Sequence, residues 1–129
     1  MDKKTILTFA GVGVAVIALA VFLFFKQPSD QINWAELDSQ ITYYYGVDCP
    51  HCLRVLQFIE ENKIAEKVTF TKKEVSENIS NGREFLQVAE KCGLAPSEAG
   101  VPLVYAQGKC LMGEPDVTGF FKEKAGITE

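Results

Sequence analysis

The chain has 129 residues and a formal net charge of −4 at pH 7, from 13 Lys and Arg against 17 Asp and Glu. This acidic balance argues against a nucleic-acid-binding protein, because such a protein presents a basic face to the phosphate backbone. Four cysteines and only one histidine are present. A second metal-binding pair at zinc-ligand spacing is absent, so we predict no metal site.

The first predicted element is an apolar segment near the N-terminus. Thr5–Phe25 carries no charged residue, and about 20 apolar residues are enough to cross a bilayer. A cleaved secretory signal peptide is the alternative, because Ala18–Ala20 resembles a small-residue cleavage site. The apolar run continues through Val21–Phe25, however, which is unlike a cleavage region. We therefore predict an uncleaved transmembrane anchor at residues 5–25.

The charges that flank this segment predict its orientation. Lys3 and Lys4 precede it and Lys26 alone follows it closely, so the positive-inside rule places residues 1–4 in the cytoplasm. A polar tether, residues 26–40, then leads to one domain on the extracytoplasmic side, periplasmic or extracellular. Disulfides persist in such an oxidising compartment, and the chain has an even number of cysteines.

The first half of the domain alternates strand and helix patterns. Asn33–Ser39 predicts a short helical turn that begins with a capping asparagine. Ile41–Tyr45 has the period and the residue types of a strand, and Cys49–Asn62 carries the apolar stripe of a core-facing helix. Val68–Thr71 predicts a second strand, which is parallel to the first if the intervening helix is a right-handed crossover.

The second half predicts a helix, a hairpin and a last helix. Gly82–Cys92 has apolar residues at helical spacing and is followed by Gly93, a residue type that commonly ends helices. Val101–Ala106 and Lys109–Met112 predict two strands joined by a tight turn. Asp116–Ala125 predicts the last helix. The predicted order of the domain is β-α-β-α-β-β-α.

A Cys-Pro-His-Cys motif lies between the first predicted strand and the helix that follows it. Cys49 falls at the N-cap, where unpaired backbone N–H groups and the helix dipole stabilise an anion such as a thiolate. Pro50 suits the first helical turn. Cys52 comes one turn later, close enough to form a disulfide with Cys49. The motif is therefore predicted to carry dithiol–disulfide exchange.

This order, with Cys-Pro-His-Cys after the first strand and Val101-Pro102 at the start of the third, resembles the thioredoxin-fold superfamily in its small glutaredoxin-like form. The resemblance covers roughly residues 41–126. It implies an α/β three-layer sandwich for residues 41–129, preceded by the single transmembrane helix predicted above. It also implies that Pro102 is cis and lies against the motif, and that Val101 offers its backbone to a bound substrate chain.

The Pro50-His51 dipeptide is similar to that of bacterial periplasmic disulfide oxidases. The similarity implies that His51 and the helix N-terminus stabilise the Cys49 thiolate and so tune the redox potential. Cys49 is then expected to form the mixed disulfide with a cysteine of a substrate protein, and Cys52 to resolve it. This exchange needs no metal or organic cofactor beyond the redox-active disulfide.

Near the cysteine motif, this sequence differs in two respects from the families that it resembles. Thioredoxins carry a buried acid where this chain has Tyr43, so the group that assists attack by Cys52 in that family has no counterpart. Glutaredoxins carry a basic residue just before the motif, whereas Gly46–Asp48 precede it here, and Asp48 would repel a glutathione carboxylate. Asp116 does match a glutaredoxin position that holds the glutathione amine. Glutathione-dependent exchange therefore stays open as an alternative.

The other two cysteines leave two hypotheses open. A Cys92–Cys110 structural disulfide would remove two free thiols from an oxidising compartment. Otherwise Cys92 is a small apolar residue on the core face of its helix, and Cys110 is an unpaired strand residue. Their separation does not follow from the sequence.

We predict a membrane-anchored, extracytoplasmic protein-disulfide oxidoreductase that exchanges disulfides with substrate proteins and with a membrane or extracytoplasmic redox partner. Its direction stays open, because oxidation, reduction and isomerisation use the same residues. The alternative from another class is a non-catalytic binding or metal-handling module of the same fold. Such modules usually need a further histidine or methionine near the site.

Overall fold

The computed structural model describes residues 2–25 and 31–128, without the side chains of residues 3–11 and 24–25. The backbone is helical over Lys3–Phe25, which we call α1. Within the described residues, no helix is long and apolar enough to cross a membrane. The structure thus gives no support to the transmembrane helix predicted at residues 5–25. Residues 26–30 of the predicted tether lie outside the described residues.

The chain divides into two compact units, Met1–Gln31 and Ile32–Glu129. The second unit begins nine residues before the predicted domain boundary at residue 41, because a short helix, α2 (Trp34–Asp38), buries Leu37 in the core. The side chain of Asn33 caps this helix by accepting a hydrogen bond from the backbone N–H of Glu36. Residues 32–40 are therefore part of the domain rather than of a tether.

Four strands form one sheet in the order β2-β1-β3-β4. They are β1 (Ile41–Tyr45), β2 (Thr71–Glu74), β3 (Leu103–Ala106) and β4 (Lys109–Met112). The predicted parallel pairing of the first two strands is confirmed, and the two other pairs are antiparallel. Because β1 and β2 are parallel neighbours, the chain between the end of β1 and the start of β2 must cross over a face of the sheet.

Helices occupy both faces of this sheet. They are α3 (Pro50–Glu61), α4 (Ile64–Lys67), α5 (Ile79–Lys91) and α6 (Glu114–Lys124). Residues of α3, α4 and α6 share a core with Tyr43, whereas residues of α2 and α5 share a second core with Tyr44. Successive side chains of a strand point to opposite faces, so these two buried tyrosines separate the two cores. The predicted β-α-β-α-β-β-α order is confirmed. The helical turn predicted at Asn33–Ser39 is α2, and α4 is an additional short helix.

Several predicted element boundaries are wrong for identifiable physical reasons. The second strand begins at Thr71 rather than Val68, because Val68 ends α4 and is buried in the core. The helix predicted from Gly82 begins at Ile79, where the side chain of Asn78 accepts a hydrogen bond from a backbone N–H of the first turn. The last helix begins two residues early, at Glu114, because a proline occupies its first turn.

Candidate active site

The Cys-Pro-His-Cys motif opens α3 immediately after β1. Cys49 is the N-cap residue in an extended conformation, and its sulfur accepts a hydrogen bond of 3.1 Å from the backbone N–H of Cys52. Pro50 lies in the first turn, where its missing N–H removes no helical hydrogen bond. Cys49 and Cys52 form a disulfide with their Cα atoms 5.2 Å apart.

The two sulfurs of this disulfide differ in accessibility. Cys52 is completely buried, whereas Cys49 is partly exposed. The difference follows from the helix, because the residue one turn inside α3 faces the core while the N-cap residue lies at its end. Of the two cysteines of the motif, only Cys49 is therefore accessible to solvent.

The segment before β3 lies against the motif. The Val101–Pro102 peptide bond is cis, and the carbonyl oxygen of Val101 is 3.6 Å from the sulfur of Cys49. Pro102 is fully buried, and its carbonyl accepts a hydrogen bond of 2.8 Å from the backbone N–H of Gly113. The structure thus brings together Cys49 and Val101, which are 52 positions apart in the sequence. Only the family resemblance had predicted that these two residues lie close together.

Gly46, which directly follows β1, is also part of the site, although its sequence context predicted no role for it there. A β-carbon at this buried position would lie 2.6 Å from the hydroxyl oxygen of Ser76 and 3.6 Å from the β-carbon of Cys49. It would also lie 3.7 Å from a methyl carbon of Val101. The loop after β2 therefore packs closely against the cysteine motif, and a side chain at residue 46 would interfere with that packing.

Glu74 fixes the conformation of this neighbouring loop. Its carboxylate accepts hydrogen bonds from the backbone N–H groups of Ser76, Glu77 and Asn78, at 2.6, 2.9 and 3.1 Å. Burial by itself would raise the pKa of Glu74, but these hydrogen bonds outweigh burial and lower the pKa to about 2. The charged carboxylate thus organises the loop that carries Ser76.

His51 lies in a cluster with two charged side chains, which the sequence did not predict. Its Nδ1 is 2.6 Å from Nη2 of Arg54, on the same helix, and 2.8 Å from Oε2 of Glu114, on α6. Arg54 also donates from Nε to both carboxylate oxygens of Glu114, at 2.9 and 2.8 Å. These hydrogen bonds, from Arg54 first and His51 second, lower the pKa of Glu114 to about 2. The spacing of Arg54 from His51 was visible in the sequence, but nothing there indicated Glu114.

Tyr43 occupies the position at which thioredoxins carry a buried acid. Its hydroxyl donates a hydrogen bond of 3.2 Å to the backbone carbonyl of Cys52, and burial strongly raises its pKa. A phenol that stays protonated cannot take a proton from the Cys52 thiol. Tyr43 therefore supports the first turn of α3 and does not replace the acid.

Cys92 and Cys110 lie outside this site and form the second disulfide of the described residues. Their Cα atoms are 6.0 Å apart, and both residues are partly exposed. The bond joins the C-cap of α5 to β4, on the face of the sheet that carries Tyr44. Of the two hypotheses that the sequence left open, the structure places the cysteines in the paired arrangement.

Neither a family model nor a curated protein matches this chain. Its structure is similar to two solved glutaredoxin structures. One is a dithiolic glutaredoxin from Trypanosoma brucei brucei, with 17% identity, coverage of 78% of this chain and 93% of that chain, and a TM-score of 0.50. The other is oxidized glutaredoxin 2 from Chlamydomonas reinhardtii, with 18% identity, coverage of 73% and 90%, and a TM-score of 0.48. The similarity to the Trypanosoma brucei brucei structure, together with the strand order β2-β1-β3-β4, shows that the domain has the mixed α/β thioredoxin-like fold.

Proposed function

We propose that the protein is a thiol–disulfide oxidoreductase in which Cys49 and Cys52 exchange a disulfide with cysteines of substrate proteins. The position of Cys49 carries the proposal. Cys49 is partly exposed and its sulfur caps α3, 3.1 Å from the backbone nitrogen of Cys52, whereas the disulfide partner Cys52 is fully buried. One sulfur is open to nucleophilic attack and suited to be a thiolate, and the other is shielded.

The proposed oxidation of a substrate protein proceeds in two steps. A substrate thiolate attacks the sulfur of Cys49, the disulfide breaks, and Cys52 leaves as a thiolate that takes a proton from water. A second thiolate of the substrate then attacks the substrate sulfur of the mixed disulfide, and Cys49 leaves as a thiolate. The substrate gains a disulfide and two electrons pass to the Cys49–Cys52 pair. The reverse sequence reduces a substrate disulfide, and the redox partner sets the direction.

In this proposal Val101 and Pro102 position the substrate chain. The carbonyl of Val101 lies beside the sulfur of Cys49 at 3.6 Å, and the buried ring of Pro102 fixes this segment. An extended substrate segment next to Val101 would place its cysteine near the reactive sulfur. Pro50 and His51 are both exposed in the first turn of α3, and we propose that they tune the potential.

We further propose that residues 5–25 anchor the domain in a membrane, on its extracytoplasmic side. The support for the anchor is the uncharged, apolar sequence Thr5–Phe25. Lys3 and Lys4 support an inside N-terminus. The two disulfides support an oxidising compartment. A membrane or extracytoplasmic redox partner would then restore the Cys49–Cys52 pair after each cycle.

Exchange with model peptides tests the proposed chemistry. The oxidised protein is mixed with a two-cysteine peptide, and the reduced protein with the same peptide as a disulfide. The rates in both directions should exceed those of Cys49→Ser by several orders of magnitude. Cys52→Ser should accumulate a mixed disulfide through Cys49, visible by mass spectrometry without reductant. The double variant Cys92→Ala/Cys110→Ala is the matched control and should retain exchange.

Wild-type exchange rates equal to those of Cys49→Ser would contradict the proposed oxidoreductase activity. Tight binding of a metal ion through the same cysteines, measured by elemental analysis, would then favour the metal-handling module. Faster reaction with oxidised glutathione than with the peptide disulfide would favour the glutaredoxin alternative, in which Asp116 holds the glutathione amine.

The proposed location is tested separately. A protease added outside cells stripped of any outer barrier should digest the domain, and protection of the domain would contradict the proposed topology.

A further inference from the structure

A cavity of about 510 Å³ lies at the end of the sheet opposite the cysteine motif. Its lining includes Ile41 and Thr71, the first residues of β1 and β2, whereas Cys49 comes after the last residue of β1. A strand rises about 3.3 Å per residue, so about 13 Å of β1 separates Ile41 from Tyr45. The cavity is therefore a separate site from the cysteine motif.

Two phenylalanines line this cavity. Phe70 and Phe120 are both partly exposed. Both rings pack against the fully buried Phe121, with centroid distances of 4.8 Å for Phe70 and 5.5 Å for Phe120. Ala106 and Leu111 add to the apolar lining. Small-molecule sites usually have volumes of about 300 to 1,000 Å³ and mainly apolar linings, and aromatic rings attract one another in stacked and edge contacts. The cavity therefore suits a small aromatic molecule.

Charged residues at the surface also line the cavity. They are Lys109, Glu123 and Lys124, and all three are exposed. Nζ of Lys124 lies over the ring of Phe120, 5.6 Å from its centroid. Within the part of the chain that the structure describes, neither lysine forms a salt bridge. Two ammonium groups, one from β4 and one from α6, thus outnumber one carboxylate, and this balance favours an anionic ligand.

We propose that this cavity binds a small aromatic carboxylate, with its ring system against Phe70 and Phe120 and its anionic group beside Lys109 and Lys124. Contact with the apolar lining supplies most of the affinity. The lysines are exposed to water, so they add a modest preference for the anion that weakens as the salt concentration rises. Glu123 opposes this preference. The site does not depend on the proposed redox function of the cysteine motif.

The probe for the test is naphthalene-2-carboxylate, with naphthalene-2-carboxamide as its neutral counterpart. Binding to the full-length protein in phosphatidylcholine nanodiscs is measured by equilibrium dialysis at pH 7, with empty nanodiscs as the blank. The carboxylate should bind about fivefold more tightly than the amide at low salt. Lys109→Gln/Lys124→Gln should abolish this preference, and Glu123→Gln should increase it. Lys67→Gln, which removes an exposed lysine of α4 outside the cavity, is the matched control and should leave it unchanged.

A second variant tests whether the probe lies in the cavity. Thr69→Trp places a large ring at an exposed residue of the lining, and it should weaken binding of both probes at least about tenfold while the circular dichroism spectrum stays that of the wild type. The lysine variants decide the question if Thr69→Trp does not fold. Cys49→Ser should bind both probes as the wild type does.

Several results would overturn the proposed carboxylate site. They are binding no greater than to empty nanodiscs, equal affinity of the wild type for carboxylate and amide, a preference for the carboxylate that survives the loss of both lysines, and unchanged binding to a folded Thr69→Trp. A concentration-dependent dimer that Thr69→Trp abolishes would also overturn it, and would assign the cavity to a second copy of this chain.

Discussion

The sulfur of Cys49 accepts a hydrogen bond from the backbone N–H of Cys52, three residues further along the chain, at 3.1 Å. This is the geometry of a side-chain N-cap, with sulfur in the place of the usual oxygen. The hydrogen bond and the helix dipole both favour negative charge on the sulfur. The carbonyl oxygen of Val101, at 3.6 Å, has the opposite effect but is more distant.

The first prediction concerns the acidity of Cys49 in the reduced protein. Its pKa should fall below the roughly 8.5 of a free cysteine, because the N-cap hydrogen bond stabilises the thiolate. The measurement is the ultraviolet absorbance of the thiolate in Cys52→Ser, in which Cys92 and Cys110 stay paired and do not titrate. A pKa at or above that of a free cysteine would contradict the N-cap explanation.

The second prediction concerns the disulfide between Cys92 and Cys110. It links residues 18 positions apart, and in the chain-entropy model a loop of this size stabilises the fold by about 3 kcal/mol. Cys92→Ala/Cys110→Ala should lose about that much free energy of unfolding in denaturant titrations. Cys49→Ala/Cys52→Ala is the comparison, and it should lose less because its loop spans only three positions. A larger loss in the comparison variant would contradict the entropic explanation.

The third prediction concerns the close packing at Gly46. The β-carbon of Gly46→Ala would lie 2.6 Å from the hydroxyl oxygen of Ser76, so either this hydroxyl or the loop after β2 must shift. Overpacking of this kind typically costs about 1 to 3 kcal/mol. Ser76→Ala in the same chain removes the obstructing oxygen and should restore most of the lost free energy of unfolding. A double variant as unstable as Gly46→Ala alone would show that Ser76 is not the cause.

The fourth prediction concerns stability in acid. The pKa of Glu74 is about 2 in the folded protein and its ordinary value is 4.5. A lowered folded-state pKa contributes stability that is complete above the unfolded value and is lost as the pH falls toward the folded value. Glu74→Gln should therefore be less stable than the wild type at pH 7, and the difference should shrink between about pH 4.5 and pH 2. A difference that is constant over this range would contradict the role of the carboxylate charge.

The fifth prediction concerns Thr42, whose hydroxyl oxygen is buried and makes no hydrogen bond within the part of the chain that the structure describes. An unsatisfied buried polar group costs about 1 to 3 kcal/mol. Thr42→Val should therefore raise the free energy of unfolding by about 1 kcal/mol. Thr71→Val, at the exposed partner position on β2, should change it by less than about 0.5 kcal/mol. Destabilisation by Thr42→Val would indicate that the hydroxyl has a partner.

Local sequence patterns were sufficient to predict the order of the helices and strands in the domain and the position of the cysteine motif. The β-branched and aromatic residues of Ile41–Tyr45, followed by the apolar stripe of α3, define a strand and a helix without reference to the rest of the chain. The bounds of β4, Lys109–Met112, also match the prediction, because a tight turn precedes the strand. Cys49 is at the N-cap for the same local reason, since Pro50 favours the first helical turn.

The tertiary structure alone decided which distant residues complete the site. Glu114 reaches His51 across 63 positions, because α3 and α6 pack on the same face of the sheet. Ser76 reaches Gly46 because β2 pairs in parallel with β1, which brings the loops after the two strands to the same edge. Such contacts depend on strand order and helix packing, which no local pattern encodes. The sequence by itself therefore determined the cysteine pair of the candidate site, and the packing of the fold determined the residues around it.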